Sequence, residues 1–349
     1  MGRADLNQVV GELYRDALAG IERAIGRGAA ILLAHVGDGE RELLEHYPRP
    51  FIPIEATLYP DRDAVRFQLL RESVRTLTAP ADPLTALRDT GPGGDSTRLA
   101  LAEAYGGRAG HVAAMLERDS PPTHDQLRFS IDEVLGRTPD DVPIVVFDAH
   151  RLERDARWDI RELERPLLLV TRPDHRGLTS EDAAFYAQAQ TVSLRSPGPP
   201  EWMRALANVD LQMHTADLEW LLERCRGRVG TTTSIIEGMV GERSPRDAWR
   251  QAVRRSLPWA YETLALAREL HSYAPSLLVA IAQARKPYTV VRDAASARIA
   301  LALRKLQRLD IIEQPVPRTW RIADPLLEGA LIHLADGAGV HNAVETLFE

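Results

Sequence analysis

The stretch that decides the fold is AAILLAHVGDGERELLEHY, residues 29–47. It begins with a short apolar run at residues 29–34, which is typical of a buried strand. The tight turn Gly37-Asp38-Gly39 follows, and after it comes a helix-like segment that carries two adjacent leucines. The stretch therefore predicts a strand, a glycine turn and a helix, in that order.

This order is the framework of a phosphate-binding loop, whose motif is G-x-x-x-x-G-K-[ST]. Here Ala34 takes the first glycine position and Gly39 the second, but Glu40 stands at the lysine position and Arg41 at the hydroxyl position. The lysine normally reaches the phosphates and the hydroxyl holds Mg²⁺. Glu40 would repel phosphate, and Arg41 cannot bind a metal ion. The stretch predicts a nucleotide-binding fold that has lost hydrolysis, with an ordinary strand–turn–helix of another α/β protein as the alternative.

Composition limits the classes of function. The chain has 349 residues, 44% of them hydrophobic and 27% charged, which favours a globular protein of two or three domains. Its net charge of -7 gives no whole-chain affinity for nucleic acid or anionic membrane, so any basic surface has to be local. Cys225 is the only cysteine, which excludes an internal disulfide and favours a reducing cytoplasm. Neither a secretory signal nor a membrane-spanning apolar run is predicted.

Apolar runs alternate with helix-like segments through the first 197 residues. This alternation favours a mostly parallel sheet with helices on both faces. Two of the runs end in a polar residue, Asp148 and Thr171, at the end of a strand where ligands gather in open α/β sheets. Strands are predicted at 29–34, 51–55, 144–147, 166–171 and 191–197, and helices at 6–26, 40–46, 62–77, 98–117 and 124–136.

The pattern changes after residue 200, and residues 201–285 are almost entirely helical in periodicity. A helix is predicted at 275–285, followed by a turn at Lys286-Pro287 and an amphipathic helix at 293–309. A hairpin with strands at 311–314 and 319–323 comes next. Helix, turn, helix and two-stranded wing is the order of a winged helix-turn-helix. The sequence therefore predicts an α/β domain at 1–197, a helical lid at 198–270 and a winged helix at 271–349.

Three segments carry a resemblance to a known group: the glycine-loop stretch, the strand VVFDAHRL that contains Asp148, and the C-terminal LDIIE…RIADPLL. Together they resemble the AAA+-like ATPases of the archaeal-type and STAND group, which includes relatives of origin-recognition proteins. VVFDAHRL looks like the Walker B strand of that group, and LLLVTRPD looks like its sensor strand. The resemblance implies a P-loop NTPase-like (AAA+/ASCE) domain, a helical lid and a winged helix, with ATP and Mg²⁺ as cofactors. It implies a degenerate nucleotide site made of Gly37, Asp38, Gly39, Glu40, Arg41, Asp148 and Thr171.

The departures from the group all concern hydrolysis. In the group an acid follows the Walker B aspartate and polarises the attacking water, whereas here Ala149 follows Asp148. The lysine and the hydroxyl of the loop are missing as well. We therefore expect a non-hydrolysing relative, a pseudo-ATPase with no catalytic residues and no resident cofactor. The alternative is an active ATPase that uses Arg41 in place of the lysine, with ATP and Mg²⁺ bound.

The sequence gives little support for a metal site or a serine-hydrolase site. Two ordinary roles for Asp148, a helix N-cap or an exposed acid at a strand end, are favoured over a metal ligand. No H-x-x-x-H or H-E-x-x-H spacing accompanies His35 or His150, so no metal is predicted. A G-x-S-x-G hydrolase elbow is absent from the sequence. The hydroxyl-rich run at 230–234 is expected to cap the helix that follows it.

The basic residues of the predicted winged helix favour DNA. Arg298, Lys305 and Arg308 share one side of the helix, opposite its leucines, and Arg318 falls in the wing turn. A solvated basic face and a protein-binding winged helix are the alternatives. We expect double-stranded DNA and a protein partner, either a second copy or an intact AAA+ ATPase, and no membrane.

Overall fold

The computed structural model describes residues 3–56, 138–173, 189–239, 244–289 and 295–338, together with residues 62, 65, 66, 68, 69, 71–73, 135 and 136. The helix predicted at 98–117 lies outside these residues, and the one predicted at 124–136 is covered only at its last two positions. Within the described part, no helix is both long enough and apolar enough to cross a membrane.

The chain forms two compact units. The sheet unit comprises residues 19–33 and 47–193, and the helical unit comprises residues 1–18, 34–46 and 194–349. The domain boundaries predicted from the sequence, after residues 197 and 270, stay predictions.

In the part of the sheet unit that the structure describes, five strands run parallel to one another. Their order across the sheet is β2-β3-β4-β1-β5. This arrangement confirms the predicted mostly parallel α/β fold. The strands are β1 (Ala29–Leu33), β2 (Ile52–Glu55), β3 (Ile144–Phe147), β4 (Leu167–Thr171) and β5 (Gln190–Ser193).

Burial explains why the sequences of the inner strands β1, β3 and β4 are continuous apolar runs. Every residue of β3 and β4 is buried, and so are the three central residues of β1. A strand covered on both faces needs an apolar side chain at nearly every position rather than at alternate ones. The edge strand β5 is instead mostly exposed and polar, with the sequence QTVS.

The strand order fixes where the sheet offers a ligand site. The chain passes from β1 to β2 across β4 and β3, and it passes from β4 to β5 across β1. These connections leave the neighbouring strands β1 and β4 in opposite directions, which makes their carboxyl ends the topological switch point where ligands bind. Thr171, the last residue of β4, pairs with Leu33, the last residue of β1. The glycine loop follows directly after β1 in the chain.

Helices account for most of the other described residues. The helix predicted at 6–26 is two helices, interrupted at Tyr14. The described residues between 62 and 73 are helical, as predicted. In chain order the helices are α1 (Arg3–Leu13), α2 (Arg15–Ile25), α3 (Glu40–Glu45), α4 (Arg154–Arg161), α5 (Pro199–Ala207), α6 (Thr215–Arg224), α7 (Val229–Glu237), α8 (Pro245–Arg255), α9 (Leu257–Leu270), α10 (Ala274–Ala282), α11 (Ser296–Arg308) and α12 (Pro325–Ala338).

The C-terminal part of the helical unit has one hydrophobic core. Helices α9 to α12 surround it, together with an antiparallel ribbon of β6 (Ile312–Val316) and β7 (Thr319–Ile322). The order of α11, β6 and β7 is the one the sequence predicts, whereas the assignment as a winged helix stays a prediction. Helix α9, which the sequence placed in the lid, shares this core. Buried members include Ala260, Leu264, Leu277, Leu278, Ile299, Leu303, Leu306, Ile312, Ile322, Leu327 and Leu331.

Candidate functional site

The glycine loop, residues 34–39, belongs to the helical unit and leads into α3. Gly37 and Gly39 have φ angles of 83° and 82°. This left-handed backbone costs a non-glycine residue roughly 1–2 kcal/mol. Gly39 is also the N-cap of α3 and supplies no side-chain cap. The first turn of α3 carries Glu40 and Glu42, so the loop ends among carboxylates.

The first turn of α7 lies directly on this loop. The backbone N–H of Thr231 donates to the carbonyl of Gly37 at 3.0 Å. A Cβ at Gly37 would lie 2.3 Å from the Thr231 Oγ1, and a Cβ at Gly230 would lie 2.9 Å from the backbone N of Gly39. Two glycine backbones therefore touch where larger residues could not. The loop is packed against its own chain.

The expectation that residues 230–234 cap a helix was wrong. These residues lie inside α7, whose N-cap is Arg228 and which has no side-chain cap bond. Thr233 instead donates its hydroxyl back to the carbonyl oxygens of Val229 and Gly230, both at 3.0 Å. Hydroxyl side chains make such bonds within a helix when no terminal N–H is in reach.

Asp38 points into the protein rather than toward a ligand, and only 2% of it is exposed. One carboxylate oxygen accepts from the backbone N–H of His35 at 2.7 Å, and the other lies 3.3 Å from a terminal nitrogen of Arg228. Burial raises the pKa of Asp38, although the Arg228 charge and the His35 N–H act in the opposite direction.

Glu313, on β6, is the centre of a polar cluster that we define as His35, Asp38, Arg228, Glu313 and Arg321; Asp38, Arg228 and Glu313 are buried, and His35 and Arg321 are partly exposed. The Glu313 carboxylate lies 3.0 Å from the Nδ1 of His35, 3.2 Å from Arg228 Nη2 and 2.6 Å from Arg321 Nε. Burial by itself would raise the pKa of Glu313, but the His35 hydrogen bond and the Arg228 and Arg321 charges outweigh it and lower that pKa to about 2. The cluster ties the glycine loop to α7 and to the ribbon.

Arg226 extends the cluster along the ribbon toward α12. One of its terminal nitrogens donates to the carbonyl of Ile322 on β7 at 2.6 Å. Its guanidinium also pairs with Glu328 of α12 and lies 3.9 Å from the Glu313 carboxylate. The two arginines before α7, Arg226 and Arg228, therefore contact carboxylates from the glycine loop, from β6 and from α12.

A shallow cleft of about 280 Å³ opens beside the loop. Glu40 and Glu42 line it together with Arg41, so acids outnumber the one guanidinium. A helix N-terminus normally attracts phosphate through its N–H groups and the positive end of its dipole. Acidic side chains in the same turn interact with this positive end in place of a phosphate. The lining has no lysine, and Arg41 stands where the loop would carry the hydroxyl that holds Mg²⁺; the hydroxyls that do line the cleft, Thr231 and Ser234, belong to α7. These residues do not fit Mg-ATP.

The other two residues of the predicted nucleotide site, Asp148 and Thr171, lie in the sheet unit. Asp148 has a φ of 53° and precedes a short 3-10 turn without capping it through its side chain. Its carboxylate accepts from Arg172 Nη2 at 2.8 Å, and both side chains are largely buried. Thr171 Oγ1 lies 3.4 Å from His150 Nδ1. The aspartate at the end of β3 is therefore balanced by an arginine.

The predicted DNA-binding residues are exposed on α11 and on the ribbon turn. Arg298 and Arg308 lie on the outer side of α11, and Arg318 has a φ of 65° in the turn between β6 and β7. Lys305 is exposed as well, but its ammonium donates to the carbonyl of Leu270 at 3.0 Å. Arg304 is a further exposed cation of this helix that the sequence reasoning did not name.

Sequence reasoning also missed Arg228, Glu313 and Arg321. No spacing rule could have found them, because Arg228 and Glu313 lie 190 and 278 residues from the loop residues that they contact. The local signal is a charged residue that follows two apolar ones, the glutamate of LDIIE, which falls at the buried start of β6.

The strand order and the glycine loop that follows β1 define an AAA+-like P-loop NTPase fold. Among solved structures, a Walker-type ATPase of Pyrococcus abyssi has a TM-score of 0.62 over 91% of this chain and 95% of its own, at 14% identity. Cdc6p from Pyrobaculum aerophilum has a TM-score of 0.40 over 96% of this chain and 95% of its own, also at 14% identity. No protein-family model and no curated protein matches the chain. At this identity the likeness to the first structure shows the fold.

Proposed function

We propose that this protein is a non-hydrolysing AAA+-like subunit of the cytoplasm, which acts through assembly with partners and through contact with double-stranded DNA. The observation that carries the first part is the state of the glycine loop. The Gly37 carbonyl is bonded by Thr231, and Asp38 is held by Arg228. The backbone N–H of Asp38 also donates to the carbonyl of His35 at 3.1 Å, so this donor of the loop is engaged within the protein and is not directed at a triphosphate.

The charge of the loop supports the same conclusion. A triphosphate in the cleft would face Glu40 and Glu42 in a partly desolvated setting. Such a repulsion costs on the order of a few kcal/mol, which is more than backbone N–H groups and a short helix dipole offset. Nucleotide is therefore expected to bind weakly or not at all.

Calorimetry and a hydrolysis assay test this part. We expect no heat of ATP binding up to millimolar nucleotide, and no hydrolysis above a buffer blank. The matched variant is Asp148→Ala, because any turnover that it leaves unchanged comes from a contaminant. Turnover near about 1 per second, within the usual enzyme range, that Asp148→Ala abolishes would overturn the proposal.

The alternative function is an active ATPase in which Arg41 replaces the lysine. One observation favours it: Arg41 lines the cleft beside Gly37 and Gly39. If the protein binds ATP tightly and Arg41→Ala removes that binding, this alternative replaces the proposal. Arg23→Ala, another exposed helical arginine, is the control for the change in charge.

DNA contact is supported by the exposed cations of α11 in a chain that is acidic as a whole. Arg298 and Arg308 are the stronger candidates, because Lys305 already donates to a carbonyl. We expect the triple variant Arg298→Ala/Lys305→Ala/Arg308→Ala to bind a DNA duplex less tightly and with a flatter salt dependence. Each phosphate contact that is lost lowers the log–log slope by about 0.9. Wild-type protein that shows no salt-sensitive duplex binding at low ionic strength would leave α11 as a protein-binding element.

Assembly is supported by exposed apolar side chains on α9. Trp259 and Leu266 lie about two helical turns apart, and each is 42% exposed. Large apolar side chains on one helix face are common at protein contacts. We expect Trp259→Ala/Leu266→Ala to shift the mass measured by light scattering toward the monomer. Leu301→Ala, which changes an exposed leucine of α11, is the control.

A further inference from the structure

A second basic surface lies on α6 and α8. Arg246, Arg250 and Arg254 follow one another at four-residue spacing along α8, and all three are exposed. In an α-helix this spacing places side chains on one side, about 6 Å apart along the axis. We call this set the α8 arginine row. A straight row of cations suits the regular row of charges on a nucleic-acid strand.

Trp220 of α6 orders one end of the row. The guanidinium carbons of Arg224 and Arg246 each lie 5.6 Å from the centroid of the Trp220 ring. A guanidinium stacked on an aromatic ring is held in place while its N–H edge stays able to donate. Two arginines from different helices are thereby ordered without a carboxylate, which leaves their charge available to an external anion.

The neighbouring acids neutralise little of this charge. Arg250 lies 3.4 Å from Asp247, but both side chains are mostly exposed, at 72% and 58%, and such a surface pair contributes little. Among the described residues, no carboxylate lies within 4.0 Å of the guanidiniums of Arg224, Arg246 or Arg254.

A cleft of about 560 Å³ borders the row. Arg224, Arg250 and Arg254 line it together with His333 of α12. Three acids also reach it, namely Glu223, Glu328 and Asp336. These acids oppose an anion that enters deeply, so the favoured contact runs along α8 rather than into the cleft. This geometry fits a long polyanion better than a small phosphate compound.

We infer that the α8 arginine row, with Arg224, binds the phosphodiester backbone of a nucleic acid without reading its bases. The Trp220 ring is already covered by two guanidiniums and does not serve as a stacking platform for bases. This inference rests on the proposed DNA contact and deepens it by adding a second surface, distinct from α11.

The test compares three triple variants of the full chain with the wild type. The first is Arg246→Ala/Arg250→Ala/Arg254→Ala, and the second is the α11 triple described above. The charge-matched control is Arg15→Ala/Arg23→Ala/Arg27→Ala, which removes three other exposed arginines. Binding to a duplex and to a single strand of equal length is measured by fluorescence anisotropy across a salt series. Thermal unfolding checks that each variant is folded.

We expect the α8 triple to lower the log–log salt slope by about three units, with three contacts at about 0.9 each, and the control to leave it unchanged. Random duplexes should give the same loss, because only phosphates are contacted. A slope that the α8 triple leaves at the wild-type value overturns the inference, even if the α11 triple weakens binding. Loss in the α8 triple alone supports the inference and removes α11 from the proposed function. No binding by the wild type overturns both.

Discussion

Replacing Glu313 by glutamine should destabilise the helical unit and should do so in a pH-dependent way. The pKa of Glu313 falls from its ordinary value of 4.5 to about 2 in the folded protein, because His35, Arg228 and Arg321 outweigh its burial. A shift of this size corresponds to about 3 kcal/mol, at about 1.4 kcal/mol per pKa unit. Only 7% of the side chain is exposed, so solvent screens the interaction little.

The sign follows from the direction of the shift. A carboxyl whose folded-state pKa is lowered contributes its full stability above its ordinary pKa, and this contribution is lost as the pH falls toward the folded-state value. The difference between wild type and Glu313→Gln should therefore be about 3 kcal/mol at pH 7 and should shrink as the pH falls from 4.5 to about 2. Asp38 remains in both proteins, so its own titration largely cancels in this difference.

Urea unfolding followed by tryptophan fluorescence measures this difference, because five of the six tryptophans lie in the helical unit. Glu328→Gln is the matched control, since Glu328 pairs with Arg226 at the edge of the cluster and is more exposed, at 26%. We expect that change to cost less than about 1 kcal/mol, as for other solvated pairs. A loss below about 1 kcal/mol for Glu313→Gln at pH 7, or a loss that is the same at pH 7 and pH 3, would refute the reasoning.

Three further results are expected. Gly37→Ala should destabilise the protein by more than Gly28→Ala. Both glycines have a positive φ, but only at Gly37 would the new Cβ clash, 2.3 Å from Thr231 Oγ1. Equal losses of stability in urea unfolding would show that the packing of α7 on the loop is unimportant. Cys225, which burial gives a pKa of about 12, should resist a maleimide in the folded protein and react in urea, and rapid native labelling would contradict that burial. Glu40→Lys combined with Arg41→Thr should raise the affinity for ATP measured by calorimetry, whereas no gain would mean that α7 blocks the loop irrespective of its charge.

The sheet was predictable because its signal is local. Short apolar runs with β-branched residues, such as IVVF at β3 and LLLVT at β4, are typical of strands covered on both faces, and the connecting helices have their own periodicity. The break at Tyr14 was not predictable, since apolar residues continue at helical spacing across it.

The candidate site was predictable only in part. The missing lysine and hydroxyl are visible at Glu40 and Arg41 without any structure. The residues that contact the loop instead, Arg228 and Glu313, could not be predicted, because only the tertiary fold brings them close to it. The cap predicted at residues 230–234 was wrong because α7 already begins at Val229, where Gly230 packs closely on Gly39. Side-chain propensity does not report such a tertiary contact.

The position of β1 in the sheet has a consequence for biosynthesis. This strand is the first of the described strands to be made, and among them it pairs with β4 and β5 alone. Its nearer partner ends about 140 residues later in the chain, which the ribosome takes roughly 7 to 28 s to add at about 5–20 residues per second. During that interval the apolar AAILL segment has both edges unpaired, a state that invites aggregation. Nascent chains stalled before β4 should therefore depend on chaperones, and chains released at that length should be insoluble.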